Sequence, residues 1–129
     1  MPVPFRLFTL LIVLLCSTIT YAQEQKFALA KCTIVSSLGR SANQYFAEQV
    51  AQLDVHLVRK NIRIIDLNNW HDNPPYLRVS GRERAKLRTR LSLPSNVNQA
   101  ILLDERNQVL KRFSGTVNLV DVILSCDEN

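Results

Sequence analysis

NQAILLDERNQVLKRFSGTVNLVDVILSC, residues 98–126, has the pattern of a hairpin followed by a helix. The apolar run 100–103 and the alternating run 109–113 predict two strands, and the polar residues 104–107 between them predict a tight turn. Apolar side chains at helical spacing in residues 116–126 predict a short helix with one buried face: Val117, Val120, Ile123 and Leu124. Because this unit cannot bury both faces of its strands alone, it must complete a sheet that begins earlier.

A strand, a helix and a second strand are predicted upstream of the hairpin. Residues 27–35 alternate between a uniformly apolar face and a mixed face, which is typical of a central strand. Ser41 and Gln44 predict a capping box for a helix that extends to about residue 60, and the short β-branched run 62–67 is typical of a buried parallel strand. The apolar residues of the helix share one face: Phe46, Val50, Leu53 and Leu57.

The middle of the chain adds a loop and one more helix. Residues 68–77, NNWHDNPPYL, are rich in Asn and Pro and predict a loop. Ser80 and Glu83 form a second capping box, which opens a helix that ends at about Leu91. The element order is therefore β-α-β-α-β-β-α. That is the order of a minimal thioredoxin-like fold, an α/β domain with a central mixed four-stranded sheet and helices on both faces.

Four short motifs carry a resemblance to a known family: SGRER at 80–84, RLSLP at 90–94, ILLD at 101–104 and RFSG at 112–115. In these residues the chain resembles the small exported family catalogued as domain of unknown function 4174. The resemblance covers nearly all of residues 23–129. It implies an exported thioredoxin-like protein without the Cys-x-x-Cys motif, and it lends no activity.

The first 22 residues have the pattern of a signal peptide. Arg6 precedes an apolar core at 7–16, and the small residues Thr20 and Ala22 occupy the positions that a signal peptidase reads. We expect cleavage after Ala22, which leaves residues 23–129 as one thioredoxin-like domain in the periplasm or outside the cell. After cleavage no integral membrane segment is expected. An uncleaved membrane anchor is the alternative.

The positive charge is mild and locally concentrated. A formal net charge of +5 does not by itself indicate nucleic acid, and we expect no nucleic-acid partner. Five cations lie in the predicted second helix: Arg82, Arg84, Lys86, Arg88 and Arg90. They form either an ordinary solvated face or a basic surface for an acidic protein or a polyanion of the cell envelope.

Thiol chemistry is the main catalytic alternative. A thioredoxin-like oxidoreductase carries Cys-x-x-Cys where the first strand meets the first helix, but residues 35–41, VSSLGRS, contain no cysteine. Cys32 and Cys126 remain after export, and they predict either one structural disulfide or two separate buried thiols. We therefore expect a non-redox binding or scaffold module. A divergent thiol-dependent oxidoreductase or peroxide-related enzyme that uses Cys32 or Cys126 is the alternative.

Two further groups of residues are candidates for binding. Hydroxyls, amides and one cation at the mouth of the first helix predict an anion or ligand site: Ser36, Ser37, Arg40 and Ser41. An aromatic, an imidazole and a carboxylate in the long loop form either solvated surface or a small ligand or acid–base site: Trp70, His71 and Asp72. The sequence shows neither a metal-binding cluster nor a hydrolase triad, so we predict no metal, no cofactor and no catalytic residue.

Overall fold

The computed structural model describes residues 30–71 and 73–128. Seven elements follow in the predicted order: β1 Cys32–Ser37, α1 Arg40–Arg59, β2 Ile62–Asp66, α2 Gly81–Leu91, β3 Gln99–Leu103, β4 Val109–Ser114 and α3 Leu119–Asp127. The predicted signal peptide, residues 1–22, lies outside the described residues. Among the helices that are described, none is long and apolar enough to cross a membrane.

The four strands form one mixed sheet in the order β2-β1-β3-β4. β1 pairs with β2 in parallel, so that Ile34 lies opposite Ile64, and it pairs with β3 in the antiparallel sense. β3 and β4 form the predicted antiparallel hairpin. β1 begins at Cys32, later than predicted, and residues 27–29 lie outside the described part of the chain. A parallel pair joined by a helix and completed by a hairpin is the minimal thioredoxin-like fold, as the element order predicted.

Each face of the sheet has its own apolar core. On one face, Cys32 and Ile34 of β1 pack under α1 and α3. On the other face, Val35 and Ile65 pack with Leu91, at the end of α2. The uniformly apolar face of β1 is therefore covered by two helices, and the mixed face by one. Burial of each large aliphatic side chain contributes about 1.5–3 kcal/mol to the free energy of unfolding.

The start of α1 differs from the prediction. The helix begins at Arg40, with Gly39 as its N-cap, and no side chain caps it. The predicted capping box of Ser41 and Gln44 is wrong, because Ser41 already lies inside the first helical turn. Instead the Gly39 N–H donates to the Asn98 side-chain oxygen at 2.6 Å. This contact joins the loop before α1 to the loop before β3.

The second predicted cap is confirmed for its serine: the Ser80 hydroxyl accepts a hydrogen bond from the Glu83 N–H at 3.2 Å. The predicted apolar face of the last helix is wrong at two positions, since Val120 and Leu124 are exposed. α3 begins only at Leu119, after the N-cap Asn118. From that start, helical spacing turns a different set toward the sheet: Leu119, Val122, Ile123 and Cys126.

Cys32 and Cys126 are joined by a disulfide, with their Cα atoms 6.2 Å apart. Both residues are buried, at 1% and 0% exposure. The Asp127 carboxylate accepts a hydrogen bond from the Lys60 ammonium group and lies 3.7 Å from that of Lys31. The bridge and this cluster of charges fasten the end of α3 to the amino end of β1.

Candidate functional site

The carboxyl ends of β1 and β2 form the edge of the sheet at which parallel α/β units bind their ligands. β2 ends with Asp66, a buried carboxylate that accepts hydrogen bonds from three backbone N–H groups, those of Asn68 at 3.0 Å, Trp70 at 2.9 Å and His71 at 3.3 Å. Burial raises the pKa of Asp66 above its ordinary value, against the opposing effect of these bonds. The carboxylate thus folds residues 68–71 over the sheet edge.

Two hydrogen bonds hold Trp70 in place. The Trp70 backbone N–H donates to the Asp66 carboxylate, and the indole N–H donates to the carbonyl of Leu38 at 3.3 Å. Asn68 donates to the same carbonyl at 2.7 Å. The residue is nevertheless 51% exposed. The loop therefore presents an exposed aromatic side chain whose orientation is fixed by the fold.

His71 follows on the same loop and stacks on the ring of Tyr76, with centroids 5.3 Å apart. Tyr76 itself is buried beneath it, and burial together with the nearby charge of Asp66 raises the pKa of the Tyr76 hydroxyl. Of the predicted loop triplet, the structure thus brings Trp70 and His71 into one site. Asp72 lies outside the described residues.

An open cleft of about 420 Å³ separates this loop from the exposed side of α1. We call it the α1–Trp70 cleft, and it is lined by Arg40, Asn43, Gln44, Ala47, Glu48, Ala51, Trp70 and His71. Ala47 lines the same cleft and contributes only a methyl group to it. The α1 side of the cleft also carries the charged residues Arg40 and Glu48 and the amide of Asn43.

Three buried polar atoms have no hydrogen-bond partner within the described residues: Ser36 Oγ, Asn43 Oδ1 and Tyr76 OH. All three are near this edge of the sheet, since Ser36 pairs with Asp66 in the β1–β2 register and the charge of Asp66 acts on Tyr76. Asn43 is the one of the three that lines the cleft, although the residue is only 4% exposed. A buried polar atom without a partner costs about 1–3 kcal/mol, so such atoms are informative about binding.

The predicted anion site is not assembled as the sequence suggested. Ser36 and Ser37 are buried, whereas Arg40 and Ser41 are exposed. Because β1 alternates its side chains, Ser37 faces the α2 side of the sheet, where its hydroxyl accepts a hydrogen bond from Arg88 at 2.9 Å. Only Arg40 of the four predicted residues lines the α1–Trp70 cleft.

The predicted basic surface on α2 also loses two of its five members, Arg84 and Arg88. Arg88 is partly buried and donates to Asn68 at 2.6 Å as well as to Ser37. Arg84 donates to the carbonyl of Val79 at 2.7 Å. Both lie on the side of the helix that carries Leu91, because residues four and seven positions apart share a helical face. The exposed cations are Arg82, Lys86 and Arg90.

The site residues that sequence reasoning missed are Asn43 and Asp66. Asn43 occupies the buried face of α1 in phase with Phe46 and Val50, and Asp66 ends the apolar run of β2. A polar residue at an otherwise apolar position, next to the carboxyl end of a parallel strand, is the signal that could have identified them.

The fold and the edge cleft together define a class: a thioredoxin-like α/β domain whose first strand–helix junction contains no cysteine and whose edge cleft is lined by charged, amide and aromatic side chains. The chain is similar in structure to Mycobacterium tuberculosis AhpC, with 14% sequence identity over 77% of this chain and 73% of that chain and a TM-score of 0.49. No protein-family model matches the chain, and no curated protein matches it in sequence.

Proposed function

We propose that this chain is an exported, non-redox thioredoxin-like binding module, with the α1–Trp70 cleft as its binding site and the disulfide as a structural bridge. One observation carries the proposal. Cys32 and Cys126 are bonded to each other, buried, and placed at the amino end of β1, whereas the junction that holds the reactive thiols of this fold lies at the carboxyl end. A thiol enzyme needs an accessible thiolate, and neither sulfur meets that requirement.

The cleft supports the binding half of the proposal. A rigid aromatic side chain costs little conformational entropy when it meets a ligand, and Trp70 is held by two hydrogen bonds before any ligand arrives. Asn43 adds an amide that is buried and lacks a partner for its oxygen. A few fixed polar groups beside an aromatic wall are typical of small-ligand sites.

Export is part of the same proposal. Disulfides persist in oxidising compartments, and residues 1–22 have the pattern of a signal peptide. We also propose that the chain is related to the exported family catalogued as domain of unknown function 4174. Mass spectrometry of protein expressed with its own amino terminus tests the expected cleavage after Ala22.

A thiol assay tests the other half of the proposal, that the protein has no redox activity. Insulin reduction with dithiothreitol should proceed no faster with the protein than with the reductant alone. The native protein should also release no thiol to a chromogenic disulfide reagent, because both sulfurs of Cys32 and Cys126 are buried and bonded. Catalysed reduction that disappears in Cys32→Ser would refute the proposal and favour the thiol-dependent or peroxide-related enzyme.

A further inference from the structure

We propose that a cavity beneath α2 binds a single-chain, medium-length fatty acid, with its carboxylate at Arg90 and its aliphatic chain along the sheet. The cavity lies between the strand residues Thr33, Ile65 and Leu103 and the α2 residues Leu87 and Arg90, and we call it the α2 cavity. It is on the face of the sheet opposite the α1–Trp70 cleft. The inference therefore goes beyond the proposed function and does not depend on that cleft.

The size and the walls of the α2 cavity suit an aliphatic chain. Its volume is about 370 Å³, and ligand pockets in proteins typically measure about 300–1,000 Å³. Ile65, Leu103, Val79 and Leu87 line it, and all four belong to the apolar core of this face or pack against that core. A methylene group takes roughly 30 Å³, about the volume of a water molecule in the liquid, so the cavity holds at most about twelve carbons.

Thr33 supplies a polar group on the floor of the cavity. The residue is only 7% exposed, because β2 and β3 flank β1 on both sides. Its hydroxyl makes no hydrogen bond within the described residues, yet it is not one of the fully buried atoms without a partner. Since Thr33 faces the same side of the sheet as Val35, the hydroxyl is accessible from the cavity and can donate to a ligand carboxylate.

Arg90 lies at the same end of the cavity as Thr33. Thr33 is opposite Leu103 in the β1–β3 register, and Leu103 is followed by the turn that contains Asn107. The Arg90 guanidinium donates to the Asn107 carbonyl at 3.0 Å, and both residues line the cavity. This bond holds the guanidinium at the cavity edge and uses one of its five N–H groups. The other N–H groups can bind a carboxylate.

The other charges along α2 also favour an anion at this end. Lys86 is exposed, lines the cavity one turn before Arg90 and forms no ion pair with any described residue. The one acid that lines the cavity is Glu83, which is seven residues from Arg90, or about 10 Å along the helix axis. The ligand carboxylate therefore belongs at the Arg90 end, and the chain extends towards Val79 at the start of α2.

Fatty acids of increasing length test the fit of the chain. The probes are butyrate, octanoate and decanoate, each below its micelle concentration, and methyl NMR of Ile65, Leu87 and Leu103 measures the affinities. Each methylene that becomes buried should tighten binding by up to about fourfold, so octanoate should bind at least about tenfold more tightly than butyrate. An affinity that does not change with chain length would overturn the assignment. Shifts at the Trp70 indole instead of these methyl groups would overturn it too.

Decanol, which has the chain without the acid, tests the charged end. It should bind at least about tenfold more weakly than decanoate. Arg90→Gln should lower the affinity for decanoate to that for decanol, and Arg90→Lys, which keeps the charge, should stay within about threefold of the wild type. Equal binding of decanol and decanoate to the wild type would assign the cavity to a neutral apolar ligand and overturn the proposal.

Arg82→Gln is the matched control for Arg90→Gln. Arg82 is an exposed cation of the same helix, about 12 Å from Arg90 along the axis and beyond the Debye length of about 8 Å at physiological salt. Its replacement should change neither affinity. A loss of selectivity in this control equal to that in Arg90→Gln would show a general charge effect and contradict the role of Arg90.

Thr33→Val tests the hydroxyl, because valine has nearly the same shape without the oxygen. Decanoate should bind about threefold to tenfold more weakly to this variant, while its melting temperature should not fall. An unchanged affinity contradicts the placement of the carboxylate beside Thr33. Failure of all these tests would leave the proposed function untouched, since the α2 cavity and the α1–Trp70 cleft lie on opposite faces of the sheet.

Discussion

The disulfide should supply a large part of the stability of this protein. Cys32 and Cys126 are 94 positions apart, so the bridge removes most of the freedom of the unfolded chain. The chain-entropy model assigns about 4–5 kcal/mol to a loop of this length, and measured bridges usually contribute about 2–4 kcal/mol. We therefore expect Cys32→Ala/Cys126→Ala to lower the free energy of unfolding by about 3–4 kcal/mol. Domains are typically stable by only about 5–15 kcal/mol, so this loss is severe.

Urea unfolding followed by circular dichroism measures the loss. With a denaturant slope of about 2 kcal/mol per molar, the midpoint should fall by about 1.5–2 M. The slope itself should rise, because the unfolded chain without the bridge is more expanded and exposes more surface.

Reductant provides the control for this prediction. Adding a phosphine reductant should destabilise the wild-type protein by a similar amount and leave the alanine variant unchanged. An alanine variant with the wild-type midpoint would refute the reasoning, since the bridge would then constrain nothing in the unfolded state. A reductant effect on the alanine variant would show that the loss comes from another source.

Three further predictions concern the carboxyl edge of the sheet. Asn43→Leu should raise the melting temperature by a few degrees, because an apolar side chain removes the buried oxygen that has no partner; calorimetry measures this, and a lower melting temperature contradicts it. The pKa of Asp66 is raised in the folded protein, so its contribution to stability is greatest below its ordinary pKa of 3.8 and is lost as pH rises through the folded value. As pH falls from about 7 to about 4, the free energy of unfolding of the wild type, measured in urea, should therefore rise relative to that of Asp66→Asn. A difference that does not change with pH contradicts this. Asn98→Ala should cost about 1 kcal/mol by releasing the Gly39 N–H, and faster amide exchange at Gly39 checks it.

Local pattern predicted the order of all seven elements, because hydrophobic spacing and turn residues act over a few positions. The stripe of Phe46, Val50 and Leu57 and the hairpin at 99–114 needed no information from elsewhere in the chain. The first predicted cap failed because the partner of Gly39 is Asn98, which is 59 residues away. Rules based on sequence spacing relate residues only a few positions apart, so they cannot predict this contact.

The candidate site was predicted only in part, for the same reason. The loop residues Trp70 and His71 stood out by their chemistry, and Arg40 by its place at the mouth of α1. Asn43 was not predicted as a site residue. Its distinguishing feature is a buried oxygen without a hydrogen-bond partner, which arises from tertiary packing and cannot be read from the sequence pattern.

What the sequence by itself determined is a thioredoxin-like order of strands and helices with no cysteine pair at the first strand–helix junction. What only the tertiary structure decided is which residues meet: Cys32 with Cys126, Ser37 with Arg88, and Asp66 with the loop that holds Trp70. Periodicity specifies which face of an element is buried, since it depends on neighbours three or four residues away. The choice of partner depends on how two elements are placed in space, and that follows only once the whole core is packed.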